Sequence, residues 1–422
     1  MSIGYACIQI GSEETKLSSL RLNNASAENL RKVISKNLNA LEAIIKYNIE
    51  NEIKLFRISS DIIPFGSHPA NKIPWWEEFQ DQLQVIGELI KKSGLRVSMH
   101  PGQYTVLNST RTDVVSKAVD ELEYHAKFLD SLGCSDSCKM ILHIGGIYSD
   151  KKAATDRFID NYNKLNSRVK SRLVIENDDK SYHIQDVLYI SERTGIPVVF
   201  DNLHNEINKA ENEYSEYDWI DKCNKTWKAK DGKQKTHYSQ SKINGTKGAH
   251  SDYINSTQFM DFYDGLHSKD IDIMLEVKDK NLSAVKCILL TKENIKIGNL
   301  EKEWTKFKYL VLSRSASNYN SIRNLLKDKD KPDARLFYKY IEETLDLSED
   351  VGAEINAAQH IWGYVSKKAS KNEKARFERL ISQYSEGKTS ENSIKNFLFK
   401  LAKEQSAEYL LGSLYFYIRH KK

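Results

Sequence analysis

Five short apolar runs in this sequence stop at a residue able to hold a metal ion. Residues 95–99 run into His100, 140–142 into His143, 173–175 into Glu176, 198–200 into Asp201 with His204 close behind, and 273–275 into Glu276. A sixth and less apolar run, Lys235-Thr236-His237-Tyr238-Ser239-Gln240, carries His237 and continues through a glycine- and lysine-rich loop to His250; His68 stands in a loop nearer the start. Imidazole mixed with carboxylate, without thiolate, suits borderline or hard divalent ions such as Mn²⁺, Zn²⁺ or Fe²⁺. Carboxylates can bridge ions while histidines close the coordination sphere, so this many ligands points to a cluster. Ions about 3.5–4 Å apart clamp the attacking and leaving oxygens of a phosphodiester and acidify a bound water. The implied chemistry is hydrolysis of a phosphate ester.

One buried histidine at a strand end is more often a hydrogen-bonded core group than a ligand. Number changes that balance, because packing gives no reason for several strands to end in such groups on one face. His125, His183, His267, His360 and His420 lie in helices, connectors or the C-terminal part and read as ordinary structural or surface residues.

Bringing those endings together requires a particular architecture. Residues 4–10 and 53–58 read as two further strands, and amphipathic patterns such as Leu30, Ile34, Leu38, Leu41 and Ile45 place helices between strands. Eight strand-then-helix units predict a TIM (β/α)8 barrel, whose strand C-termini all meet on one rim. A doubly wound open sheet would concentrate its site at one switch point instead. From about residue 300 the pattern is helical and charged with no strands, and Asp328-Lys329-Asp330-Lys331-Pro332-Asp333 reads as a surface break. The expected division is a barrel over residues 1–295 and an all-α C-terminal extension over 300–422.

The 422 residues hold 63 basic and 58 acidic side chains, a net +5, so bulk charge alone would not hold a polyanion. Five scattered cysteines suit a reducing compartment better than a disulfide framework, and Cys134 with Cys138 lacks the second pair that a zinc knuckle needs. No apolar run approaches the roughly 20 residues of a membrane helix, and residues 1–10 do not resemble a signal peptide. A soluble cytoplasmic protein is expected.

Two further features bear on the substrate. Gln103 and Tyr104, after Gly102 in the loop that follows His100, offer an amide and a flat ring able to wedge into a base stack. Lys222, Lys225, Lys228, Lys230, Lys233, Lys235, Lys242 and Lys247, interleaved with aromatics such as Trp227, fit phosphate neutralisation with stacking. Such a lysine run is commonly just a solvated surface.

At these positions the sequence resembles the UV damage endonuclease family. The matching pieces include Gly4-Tyr5, Phe56-Arg57-Ile58-Ser59-Ser60, His100-Pro101-Gly102-Gln103-Tyr104, His143-Ile144-Gly145-Gly146, Glu176-Asn177-Asp178, Phe200-Asp201-Asn202-Leu203-His204, Lys235-Thr236-His237-Tyr238-Ser239-Gln240, Gly248-Ala249-His250 and Leu275-Glu276-Val277-Lys278. The resemblance implies a barrel holding a cluster of divalent ions, typically manganese and up to three. Its implied substrate is double-stranded DNA with UV photoproducts or abasic sites, nicked immediately 5′ of the lesion to leave 3′-hydroxyl and 5′-phosphate ends. His100, His143, Glu176, Asp201, His204, His237, His250 and Glu276 fall on the family's metal positions. Lys235 falls where the family has a lysine that can be carboxylated, and it joins His68 as the expected catalytic pair. Gln103, Tyr104, Tyr5, Arg57 and Tyr238 are expected to face the DNA. Gln9 stands where an asparagine is expected, which places a lesion contact there in doubt. A monomer that associates with the nucleoid while acting is expected.

The extension, through Gln359-His360-Ile361-Trp362-Gly363-Tyr364, resembles a small helical bacterial domain of unknown function. Two competing readings stay open at this stage: a sugar isomerase of the related metal-dependent barrels, and a damage-binding protein without cleavage.

Overall fold

In the computed structural model, which describes residues 1–211 and 214–419, eight parallel strands close into a barrel in strict chain order. They are β1 Ser2–Ala6, β2 Leu55–Ile58, β3 Arg96–Met99, β4 Met140–His143, β5 Leu173–Glu176, β6 Val198–Asp201, β7 Lys235–Tyr238 and β8 Asp272–Leu275. Between and after them lie helices α1 Ala27–Glu50, α2 Trp75–Glu78, α3 Gln80–Ser93, α4 Thr112–Ser131, α5 Lys151–Lys164, α6 Ser167–Arg172, α7 Ile184–Thr194, α8 Asn202–Ile207, α9 Glu216–Asn224, α10 Ser256–Gly265 and α11 Asn281–Thr291. The TIM-barrel expectation therefore holds. Register places chemistry side by side, since His143 pairs with Glu176 and Asp201 with His237 across adjacent strands.

Strand 1 is shorter than the expected 4–10. Cys7 takes a left-handed backbone (φ 70°), which ends the extended run and leaves Ile8 half exposed. Gln9 consequently lies outside the strand.

Alternation sorts the strand residues into two layers. Outward-facing Tyr5 and Phe56 pack ring to ring at 5.1 Å. Inward, Ile141, Val174 and Val199 form one buried cluster and Ala6, Leu55 and Met274 another. The first cluster comes from side chains two positions before His143, Glu176 and Asp201, so it forms a dry floor under them.

The helices start where side chains satisfy their exposed amides. Ser26 accepts from Asn29 N at 3.2 Å to begin α1, and His183 with Asp186 makes a reciprocal cap on α7. His183 is thus a cap, and His125 is a core residue with no exposed surface whose Nδ1 meets Glu121 O at 2.7 Å. His267 pairs with Asp221 at 2.7 Å, while His420 lies outside the described residues.

Two compact units divide the chain: residues 1–9 with 14–288, and residues 10–13 with 289–422. The division falls within α11, earlier than the expected 295–300. The second unit contains α12 Ile297–Leu312, α13 Ala316–Leu325, α14 Ala334–Leu345, α15 Val351–Val365, α16 Lys371–Ser385, α17 Glu391–Glu404 and α18 Glu408–Leu411. Its apolar core includes Ala357, Ile361, Val365, Ile394, Leu398 and Leu401. Beside this core Lys395 reaches Glu391 at 2.7 Å and Glu354 at 3.8 Å, and the Tyr415 hydroxyl donates to Glu354. Burial pushes the Glu354 carboxyl up to about 6, against the opposing pull of Lys395. Among the described residues no helix is long and apolar enough to cross a membrane.

Gly87 in α3 tests the packing of the barrel's outer layer. A Cβ there would meet Leu132 O at 2.0 Å. Alanine favours a helix by about 1 kcal/mol over glycine, whereas overpacking costs about 1–3 kcal/mol or more. Gly87→Ala should therefore lower stability by about 1–2 kcal/mol, read as a drop of several degrees in the thermal midpoint by circular dichroism.

Candidate metal centre

The ends of β4, β5, β6 and β7, with the segments just after β3, β6, β7 and β8, deliver the eight expected ligands to one place. Glu176 is the hub, 1% exposed. Its carboxylate lies 2.6 Å from His237 Nδ1, 3.4 Å from His100 Nε2, 3.6 Å from His143 Nε2 and 4.0 Å from His204 Nδ1. Asp201 joins through His204 at 3.8 Å. Glu276 stands 3.4 Å from His237 and 3.9 Å from His250. Within this set His100, His143 and Glu176 each offer a ligand atom within 4.8 Å of the others, and so do Glu176, Asp201 and His237. The two triplets share one carboxylate.

The electrostatics follow from burying acids among imidazoles. Burial alone would raise the Glu176 carboxyl, but the His237, His100 and His143 rings overcome it and hold it well below the ordinary carboxylate range. Burial, with the charges of Glu176 and Glu276, raises Asp201. Burial also pushes His143 down to about 4, keeping a free lone pair. For His204 burial is outweighed by Asp201 and Glu176, which lift it to about 9.

Several buried polar atoms in this site have no hydrogen-bond partner in the protein: Asp201 Oδ2, His143 Nδ1, His237 Nε2 and Lys235 Nζ. Leaving a buried donor or acceptor unpaired costs about 1–3 kcal/mol, and more for a charged group. Bare acceptors on a carboxylate and imidazoles are what a divalent ion requires. The residues fit a metal.

Lys235 has no exposed surface and, two positions before His237 on β7, faces the same side of the strand. Burial, with the neighbouring charge of Arg96, pushes its amine down to about 7. No hydrogen bond or ion pair joins it to the carboxylates. His68 is exposed, with its Nδ1 accepting from Ala70 N at 3.1 Å and its ring 5.9 Å from Phe65; no contact places it in the cluster.

The expected DNA-facing residues divide. Gln103 and Tyr104 are exposed on the loop after β3, Tyr104 at 84%. Gly102 before them is not left-handed, and a Cβ there would meet open space, so the turn does not require glycine. Tyr5 and Tyr238 point away from the barrel interior. Both point outward by strand alternation: Tyr5 is fully buried with its hydroxyl donating to Asn48 of α1 at 2.9 Å, and Tyr238 packs on Phe262 of α10 at 4.4 Å. Arg57 points inward, where its guanidinium is paired with Glu276.

The lysine run also needs correction. Trp227 donates from Nε1 to Val198 O, the first residue of β6, at 2.8 Å and packs on the Ile141–Val174–Val199 floor. The segment before β7 therefore lies at the N-terminal end of the barrel, opposite the ligand rim. Lys242 and Lys247 follow β7 and lie on the rim side, Lys242 3.0 Å from Asp252.

Two residues that type and spacing did not single out hold the centre together. Asn177, fully buried, exchanges two amide hydrogen bonds with the Asp201 backbone at 2.9 and 3.0 Å, and its carbonyl meets His204 Nδ1 at 2.9 Å. Gly145 follows the β4 ending at φ 113°, and a Cβ there would come within 2.4 Å of Asn108 Oδ1. Their signal was adjacency to Glu176 and His143.

Removing the bare oxygen checks the metal reading. Divalent ion at 100 times its dissociation constant stabilises the protein by about 2.7 kcal/mol. Asp201→Asn should lose more than about 100-fold in affinity and Asn177→Ala about 10- to 100-fold, the range for groups that orient ligands, measured by calorimetric titration with Mn²⁺.

Comparison with known proteins agrees with this geometry. The sequence profile of the UV-endonuclease UvdE family matches residues 3–307, and that of a protein family of unknown function, DUF1722, matches residues 308–418. A UV DNA damage endonuclease of Clostridium perfringens (strain 13 / Type A) is 40% identical over 408 residues, 96% of each chain. One from Bacillus cereus (strain B4264) is 34% identical over 263 residues, 62% of this chain and 82% of that one. The crystal structure of SacUVDE superposes with a TM-score of 0.64 at 42% identity, covering 68% of this chain and 96% of that one. With its closed barrel and histidine–carboxylate rim, the chain belongs to the UV-endonuclease UvdE family and is an endonuclease of UV-damage repair.

Proposed function

We propose that the protein nicks the damaged strand of duplex DNA immediately 5′ of cyclobutane dimers, 6-4 photoproducts and abasic sites, leaving 3′-hydroxyl and 5′-phosphate ends. The observation that carries this reading is the single network of eight side chains, linked by contacts of 4.0 Å or less around Glu176. His100, His143, Glu176, Asp201, His204, His237, His250 and Glu276 would hold up to three divalent ions, with manganese the expected metal. When bound, such ions stabilise negative charge on the phosphate oxygens during hydrolysis.

The chain's own groups do the rest. Glu176, shared by both ligand triplets, sets their spacing. Arg57 keeps Glu276 ionised and orients it, as its charge holds that carboxyl far below the usual range. Lys235, buried and unpartnered, suits carboxylation because its amine sheds its proton readily. The Ile141–Val174–Val199 floor excludes water from beneath. Gln103 and Tyr104 stand exposed where an amide and a ring can fill the space left by displaced bases. A sugar isomerase would need an enclosed pocket, which an exposed Gln103–Tyr104 loop does not favour.

With Mn²⁺, purified protein should nick UV-irradiated plasmid and spare the undamaged form on agarose gels; equal cutting of both would remove the lesion specificity. Glu176→Gln should lower nicking by at least about 10³-fold, and Gln103→Ala with Tyr104→Ala should lower the preference for damage. Reversing charge at Lys225 and Lys230, on the far end of the barrel, should leave the rate and its salt dependence within about twofold; a strong loss would show that DNA reaches that end.

A further inference from the structure

The helical unit contains more positive charge than the chain as a whole suggests. Residues 289–422 hold 25 lysines and arginines against 18 acidic residues, while the entire chain carries +5, so the remainder is slightly acidic.

On this unit three tyrosines from three helices converge. Tyr309 of α12 is 2% exposed, and its hydroxyl donates to the Tyr364 hydroxyl of α15 at 3.0 Å. Tyr364 and Tyr409, from α15 and α18, remain 53% and 43% exposed. Their rings stack with centroids 5.7 Å apart and planes 29° from parallel. Tyr409 also meets the Tyr309 ring edge-on at 6.4 Å. The buried ring and its hydroxyl hold the two exposed rings in place, so little side-chain freedom is left to lose on binding.

One cation borders these rings, and two more follow Tyr364 closely in sequence. Lys308 Nζ lies 5.0 Å from the Tyr309 ring, and Lys367 and Lys368 are exposed three and four positions after Tyr364, in the turn that ends α15. Fixed aromatic faces beside lysines are how sequence-tolerant proteins hold unpaired bases and their phosphates. Duplex DNA keeps its base faces inside the stack, whereas a single strand can lay them on exposed rings.

We propose that Tyr364 and Tyr409 form a stacking platform for unpaired bases of single-stranded DNA, with Lys308, Lys367 and Lys368 neutralising its phosphates. The choice of DNA as the polymer rests on the endonuclease reading. The platform would hold the chain on DNA that has lost pairing near a lesion or nick.

The test uses the full chain with Mn²⁺ and an undamaged fluorescent oligothymidine, followed by anisotropy. Tyr364→Ala with Tyr409→Ala should weaken binding at least about tenfold, whereas Tyr409→Phe, which keeps both rings and the Tyr309–Tyr364 hydroxyl contact, should stay within about twofold of wild type. Lys367→Ala with Lys368→Ala should reduce the slope of log affinity against log salt by about 1.4. Undiminished binding by the alanine pair, equal losses in the alanine pair and the Tyr409→Phe variant, an unchanged salt slope in the lysine pair, or no binding by wild type would overturn the proposal; the last would leave the platform to a protein partner. Wild-type nicking of irradiated plasmid, measured in parallel, separates the two readings. Binding without nicking would defeat the endonuclease specificity alone, and nicking without tyrosine-dependent binding would defeat the platform alone.

Discussion

A carboxylate with almost no exposure to water sits among four imidazoles, and the barrel rim is arranged around it. Glu176 ends β5, and its oxygens meet rings from β3, β4, β6 and β7 or the segments after them. Removing a carboxylate from water costs several kcal/mol unless partners compensate. Each imidazole supplies part of that compensation, but none can approach unless its strand ends at the same height. The pairing of His143 with Glu176 and of Asp201 with His237 provides that alignment. The charge thus constrains the register, and the register constrains the ligands.

Support for the centre comes from below and beside it. Beneath the ligand layer, Ile141, Val174 and Val199 form a buried apolar cluster, and a low-dielectric surrounding strengthens the electrostatic interactions above it. To the side, Asn177 locks the Asp201 backbone and orients His204. Asp201 also caps α8, accepting from His204 N at 2.8 Å. One oxygen of that carboxylate is committed to the helix start while the other stays bare, which gives the side chain a single orientation.

The helical unit solves a different problem. Its core is apolar, yet it buries Lys395 with Glu354 and Glu391, so one cation faces two carboxylates and ties α15 to α17. Breaking one member of such a set leaves an uncompensated charge and costs about 3–5 kcal/mol. The tyrosines at its surface are organised by a buried hydroxyl contact in the same way that the barrel's imidazoles are organised by Glu176.

Much of this protein was already determined by its sequence. The alternation of apolar strands and amphipathic helices dictated a closed parallel barrel, and a barrel obliges every strand ending to share a rim, so position offered nine candidates, His68 among them, and the family resemblance narrowed the ligands to eight. Strand faces could not be read so easily: Tyr5 and Tyr238 sit in the right motifs but point outward, because a pleat alternates sides and both neighbours of each are apolar or polar enough to fit either face. The end of the barrel reached by a loop was equally hidden, since Lys222 to Lys233 adjoins two ligand strands in sequence yet leads into β7 from below. Arg57 was visible as a cation, but only packing decided that it pairs with Glu276. Local pattern records which groups exist and how often they recur; the direction of each side chain is set by closure of the barrel, which brings residues hundreds of positions apart within a few ångströms.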